Sequence, residues 1–227
     1  MKKIYSAILI LFIVSVLLFF ERTGYLSFEY ITHSIGMLRD VYHESPYLFT
    51  LSYFIFYVFI SSLPMPGAMT LALLCGVIMG FIPALILVSF ASAVGACCSM
   101  LIARYLFRDI IIHKFQSLYC KVQKGFQEDG FLYIIFLRLL PIPFFIVNIM
   151  LGLTPVSVYM YYIASQIGLF PTLFLIVKAG AELGLIESPQ EIFSPTIIAL
   201  FVLMAIFPFL IKKIFFLFYK KSPELEL

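Results

Sequence analysis

The sequence predicts an all-α polytopic membrane protein whose core is an inverted repeat of two re-entrant helical hairpins, each followed by a transmembrane helix. Three observations predict it. The 227 residues are 63% apolar and only 12% charged, with a mean hydropathy of +1.09, outside the range of soluble domains. Charge is bunched: the 59 residues Ser45–Ala103 and the 39 residues Leu139–Val177 contain no Asp, Glu, Lys or Arg, and only a bilayer makes such runs tolerable. Proline and glycine landmarks recur in the same order in both runs.

The elements follow in order. Met1-Lys2-Lys3 precedes the 17 apolar residues Ile4–Phe20, a run too long for a signal-peptide core and ending in Phe19-Phe20-Glu21-Arg22 without small residues for cleavage. It reads as a retained first transmembrane helix. Phe28, Ile31, Ile35, Leu38 and Tyr42 recur at helical spacing after Ser27 as a cap, so 1–47 comprises that helix and an outer amphipathic segment. In the first charge-free run, Pro64-Met65-Pro66-Gly67 and Pro83 divide the chain at roughly 48–62, 68–82 and 84–103. In the second, Pro141-Ile142-Pro143 and Pro155 leave pieces at about 131–140, 144–153 and 156–177. Between them Arg104, Arg108, Lys114, Lys121 and Lys124 accompany Phe107, Ile110, Ile111, Phe115, Leu118 and Val122 at helical spacing, the pattern of an interfacial helix on anionic lipid. The 20 uncharged residues Ile192–Ile211 predict a last crossing, so 181–227 holds a C-terminal transmembrane helix and a basic tail.

Lys and Arg set the orientation. The amino end, 104–130 and the tail after residue 211 hold eleven of the fifteen, which predicts that these segments and both termini are cytoplasmic. Residues 21–47 and 178–194 then lie on the other side, and each charge-free run crosses an odd number of times. Pieces of about ten residues reach only about halfway across a hydrocarbon core of about 30 Å. The second run therefore reads as a re-entrant hairpin, about 131–153, plus one span. The first run is either a hairpin, about 48–82, plus a span, or three tight crossings.

The two runs share a pattern. Leu63-Pro64-Met65-Pro66 matches Leu140-Pro141-Ile142-Pro143, Gly80-Phe81-Ile82-Pro83 matches Gly152-Leu153-Thr154-Pro155, and Gly95 and Gly168 follow at similar distances. The charge parity makes the copies antiparallel. Inverted repeats with broken helices in corresponding places point to a midplane binding site.

Arg138 is the leading candidate for that site. It lies in an apolar stretch just before a Pro-x-Pro break, where an arginine costs about 2.5–3.5 kcal/mol unless it faces water, carbonyls or an anion. Its planar fork suits a phosphate headgroup; it serves equally well to cap the broken helix or to snorkel to the cytoplasmic face. Asn148, in the turn region of the second hairpin, either joins Arg138 in headgroup binding or satisfies freed backbone groups.

Other chemistry has little support. Cys75, Cys97, Cys98 and Cys120 form no zinc-binding spacing and read as small core residues, and His33, His43 and His113 sit on different loops. No metal, cofactor or nucleophile motif occurs, and no carboxylate pair lies in the membrane runs, so neither a cofactor nor enzymatic activity is expected. The net charge of +3 follows topology and predicts no nucleic-acid partner.

Together, Leu63-Pro64-Met65-Pro66-Gly67, Cys75-Gly76 to Gly80, Ala103-Arg104-Tyr105-Leu106, and Arg138-Leu139-Leu140-Pro141-Ile142-Pro143-Phe144 continuing through Asn148 and Gly152-Leu153-Thr154-Pro155 resemble the DedA superfamily, and more closely its VTT-domain branch, once called SNARE-associated proteins. The likeness runs from about Leu51 to Gly180. It implies a VTT/DedA-like core over 48–180, with Pro64, Pro66, Gly67, Gly76, Gly80, Pro141, Pro143, Gly152 and Pro155 shaping two hairpins that meet from opposite faces. It also implies lipid handling: scrambling of phospholipid or transport of a phosphorylated lipid carrier such as undecaprenyl phosphate. Small-solute or ion transport and a non-transporting assembly role are the alternatives. DedA proper looks to place acids near its first hairpin for proton coupling, and this chain has none there. The expected partners are membrane phospholipids or a lipid carrier, a homo-oligomer is compatible with the sequence, and the expected location is the cytoplasmic membrane.

Overall fold

The structure, a computed structural model, describes residues 28–63, 67–106, 116–186 and 188–218. The first predicted transmembrane helix, Ser27, Pro64, Pro66, Arg108, His113 and Lys114 lie outside these residues. Among the described residues all regular structure is helical. The chain divides into two units, Met1–Pro46 and Tyr47–Leu227.

In the first unit α1 is Phe28–Glu44. Ile35 and Tyr42 of its apolar stripe are half-buried, while Leu38 is exposed.

The second unit holds α2 (Pro46–Ser62), α3 (Ala68–Met79), α4 (Phe81–Leu106), α5 (Gln116–Leu139), α6 (Phe144–Gly152), α7 (Val158–Leu183), a 3-10 turn (Pro189–Phe193) and α8 (Pro195–Phe218). Two of these, α4 and α7, are long and apolar enough to cross a membrane. Each has 26 residues, about 39 Å at about 1.5 Å per residue. Their exposed side chains, Ile82, Ile86 and Phe90 on α4 and Ile167, Phe170 and Phe174 on α7, are apolar at helical spacing, as lipid contact requires.

Two further apolar elements are too short to span by themselves. α3 has 12 residues and α6 has 9, about 18 and 14 Å, short of a hydrocarbon core of about 30 Å. The Tyr53 hydroxyl of α2 donates to the Leu71 carbonyl of α3 at 2.7 Å, which pins the two arms together. The break between α3 and α4 falls at Gly80 rather than at Pro83. Gly80 has φ +78°, a left-handed conformation glycine adopts without strain. Pro83 sits in the first turn of α4, where its missing N–H is no loss. The predicted arm at 131–140 is the end of α5, which begins at Gln116 and has one non-helical residue, Asp129 (φ −155°, ψ 85°), where the charged and apolar halves meet. α7 begins at Ser157, whose hydroxyl oxygen accepts from the Met160 amide at 3.2 Å.

α7 is the hub, packing against α3, α4, α5 and α8, while α6 packs on α4. Glycines make these crossings possible. A Cβ on Gly76 of α3 would run into the Val177 carbonyl of α7, and one on Gly180 of α7 would run into the Leu73 carbonyl of α3. On the other side, a Cβ on Gly152 of α6 would lie 2.6 Å from the Met100 carbonyl oxygen of α4. Gly95 of α4 faces Ser61 and Val58 of α2; Gly168 of α7 faces Arg138 and Ile135 of α5. Ser61 and Val58 stand 77 residues before Arg138 and Ile135, and Met100 stands 77 before Val177. Residues 77 apart in sequence thus make matching contacts with the two long helices.

Candidate functional site

Arg138 sits at the end of α5, one residue before its last, with its stem against the bare backbone of Gly168, where a Cβ would come within 2.7 Å of Arg138 Cβ. Without a side chain at 168, α7 approaches closely enough for its polar groups to reach the guanidinium. Arg138 Nη2 donates to the Tyr161 hydroxyl at 2.6 Å and to Ser165 Oγ at 3.0 Å, and Nε donates to Ser165 Oγ at 3.3 Å. Tyr161 and Ser165 are four residues apart on α7, hence on one face. The rings of Phe144 and Tyr161 lie 5.1 and 5.2 Å from the guanidinium carbon, a cation–π setting for a desolvated charge.

Asn148, expected in the turn, lies in the middle of α6 and joins the same cluster. Its Oδ1 accepts from the Tyr161 hydroxyl at 2.8 Å. Tyr161 therefore links the two candidates. Arg138 is 6% exposed and Asn148 0%. Arg138 Nη1 and Asn148 Nδ2 are buried without a protein acceptor. No Asp or Glu occurs from Phe131 to Ala181 or from Ser45 to Arg108, the stretches that supply α4, α6, the apolar end of α5 and all of α7 but its last two residues. The cluster therefore carries one positive charge and a surplus of donors, and its chemistry is that of an anion receptor.

The corresponding place in the first hairpin is neutral. Ser61 occupies the position of Arg138 and bonds to the Val58 carbonyl at 3.2 Å, and the buried Tyr57 hydroxyl pairs with Ser92 Oγ at 2.8 Å. Ser92 precedes Gly95 by three residues as Ser165 precedes Gly168. Where α4 and α7 cross, Gln166 Nε2 donates to Ser89 Oγ.

Arg104 is half-buried and turned into the fold. From the last turn of α4 its Nε donates to the Gly152 carbonyl at 3.1 Å, and Nη2 donates to the carbonyls of Thr154 and Val156 at 3.0 and 2.8 Å. These are the groups left open where α6 ends. Lys121 and Lys124 lie in α5, with side chains outside the described residues. Among the hairpin residues, Gly67 opens α3, Gly80 breaks α3 from α4, Pro141 and Pro143 fall in the break between α5 and α6, Gly152 closes α6 and Pro155 lies in the loop to α7. At the other end of α7, Lys178 pairs with Glu182 at 2.5 Å and lies 5.5 Å from the Phe81 ring centroid. Cys75 and Cys97 are buried free thiols.

Tyr161, Ser165, Tyr57 and Ser92 are the residues that sequence reasoning missed. The available signal was the paired Ser-x-x-Gly in the two spans, with Tyr161 one turn before Ser165.

The VTT domain matches residues 63–182, which include both hairpin breaks, α3, α4, α6 and nearly all of α7. The chain is 30% identical over 190 residues to a Transmembrane protein 41 homolog of Dictyostelium discoideum, covering 79% of this chain and 57% of that relative. It is 30% identical over 187 residues to a Transmembrane protein 41 homolog of Caenorhabditis elegans, covering 79% and 76%. It is 28% identical over 180 residues to Transmembrane protein 41B of Homo sapiens, covering 76% and 61%. The chain therefore spans less than two thirds of the length of some of these relatives. No solved structure matches it.

Proposed function

The chain belongs to the DedA/VTT family of multi-pass membrane proteins, and from that premise and the Arg138 cluster we propose that it moves phospholipid, or a phosphorylated lipid carrier, between leaflets. The observation that carries the reading is the buried guanidinium with no carboxylate near it in sequence, its Nη1 unpaired in the same Tyr161-linked cluster as the unpaired amide nitrogen of Asn148. Charge at such a depth is retained where function needs it. A phosphate headgroup offers several charged acceptors, which both donors lack. Neither α3 nor α6 is long enough to span, and hairpins entering from opposite faces would shorten the path through hydrocarbon that a headgroup must cross.

The rest of the reading follows from the same physics. The cluster's unpaired donors suit the binding of an anionic group, which supports a carrier. The Lys and Arg distribution supports a cytoplasmic-membrane orientation with both termini inside.

The test is lipid flip in liposomes carrying the purified protein, read by quenching of a headgroup-labelled phospholipid. Wild type is expected to flip the label well above protein-free vesicles, and Arg138→Ala to lose at least tenfold of that rate while remaining folded. A folded Arg138→Ala variant with the wild-type rate would remove Arg138 from the mechanism. Solute flux without lipid flip would favour a small-solute or ion carrier. Indifference of both to changes at the hairpins, with a stoichiometric partner recovered, would favour an assembly role.

A further inference from the structure

We infer that the Arg138–Asn148 cluster holds a small inorganic anion of the halide class as a resident counter-ion. The inference concerns the same donors as the lipid reading, with the small anion holding them until a headgroup phosphate displaces it, but it does not depend on lipid movement. A guanidinium only donates, so the Tyr161 oxygen, 2.6 Å from Nη2, accepts from it, and the Tyr161 proton goes to Asn148 Oδ1 at 2.8 Å. That sequence of bonds turns the Asn148 amide nitrogen away from the tyrosine and leaves it unpaired, as Arg138 Nη1 is. The shortage does not hang on the amide's orientation. With either assignment of its nitrogen and oxygen, the donors of Arg138, Asn148, Tyr161 and Ser165 outnumber the lone pairs of Oδ1, Oη and Oγ.

The missing component is thus an acceptor, and the cluster's charge says which kind. Water would bring lone pairs but also two further donors, and would leave the positive charge uncompensated. A monovalent anion brings acceptor capacity alone and neutralises the guanidinium in a place where an unpaired charge is costly. The Phe144 and Tyr161 rings lie against the guanidinium, and Ser165 takes its Nε and Nη2, so Nη1 is the guanidinium nitrogen left for the ion. A weakly hydrated ion such as chloride gives up its water for such a site more readily than a multivalent one.

The experiment is thermal unfolding of the purified full chain in detergent, with sodium chloride replacing sodium gluconate at constant ionic strength. Wild type should show a saturating rise in midpoint of about 5 °C. Asn148→Asp supplies the cluster with a carboxylate as a built-in counter-ion; it should raise the midpoint in gluconate and abolish the chloride response. Asn148→Ser removes one donor and should raise the half-saturating chloride concentration at least tenfold. Equal wild-type midpoints in the two salts would overturn the inference, as would a chloride response unchanged in a folded Asn148→Asp or Asn148→Ser. None of these readings involves lipid flip, so the failure of one proposal is separable from the failure of the other.

Discussion

Arg104→Ala is expected to destabilise the second hairpin rather than to weaken binding to a lipid surface. The side chain makes three hydrogen bonds, at 3.1, 3.0 and 2.8 Å, to the carbonyls of Gly152, Thr154 and Val156. Bonds to a charged group contribute about 1.5–3 kcal/mol each. Arg104 is half-buried, so water replaces part of what is lost, and bonds from one side chain are not independent. A net loss of about 2–4 kcal/mol is the reasonable range. For a chain of this length that is a fall of about 5–15 °C in unfolding midpoint, measured in detergent by intrinsic tyrosine fluorescence. Arg104→Lys should recover a minor share, because an ammonium on a flexible stem does not reproduce the planar fork. Lys213→Ala, which removes an exposed positive charge from α8, is the control for net charge. If Arg104→Ala and Lys213→Ala lower the midpoint equally, by less than about 1 kcal/mol, the capping argument is wrong and Arg104 acts through its charge alone.

Gly180→Ala should cost about 1–3 kcal/mol, because the added methyl meets the Leu73 carbonyl and forces α3 away from α7; an unchanged midpoint would show that the crossing is looser than described. Tyr161→Phe keeps the ring but strips the hydroxyl that pairs Arg138 with Asn148, and should cost about 1–3 kcal/mol with a parallel loss of lipid flip. Combined with Asn148→Ala it should be clearly non-additive, and simple additivity of the two changes would deny that they share one network.

How much of this was legible beforehand depends on the range of the interaction concerned. The charge-free runs mark the two spans, and Pro141-Ile142-Pro143 marks the break between α5 and α6, because those signals are local. For the break near residue 80 the sequence points to Pro83, since proline is the stronger helix breaker. A proline in the first turn of a helix breaks nothing, and Gly80 supplies the positive φ. Arg138 stands out in the sequence from the cost of a charge in an apolar stretch, and Asn148 from its donors and acceptor in the second hairpin region. What joins them, Tyr161 and Ser165, comes from a helix that begins only after the chain has turned, and an isolated tyrosine in a span carries no local signal of its partner. Arg104 shows the same limit from the other side: its neighbours in sequence suggest a lipid surface, while its bonding partners are carbonyls 48–52 residues away.

The correspondence between the hairpins makes the placement of charge informative. Position 61 and position 138 occupy matching contacts, each against the glycine of a Ser-x-x-Gly on the neighbouring span. At 61 the residue is serine, its hydroxyl is bonded to Val58, and the nearby tyrosine, Tyr57, is paired with Ser92. That half of the pattern is satisfied by its own groups. At 138 the residue is arginine, and the same serine and a tyrosine on α7 are not enough to satisfy it. Two similar scaffolds therefore hold one closed polar contact and one open one. If fold stability alone governed both positions, a serine at 138 would bond to a carbonyl of its own helix, as Ser61 does, without burying a charge. The open contact is where the chain buries a charge that its own groups leave partly unpaired, so position 138, rather than both positions equally, is where an anionic ligand is to be sought.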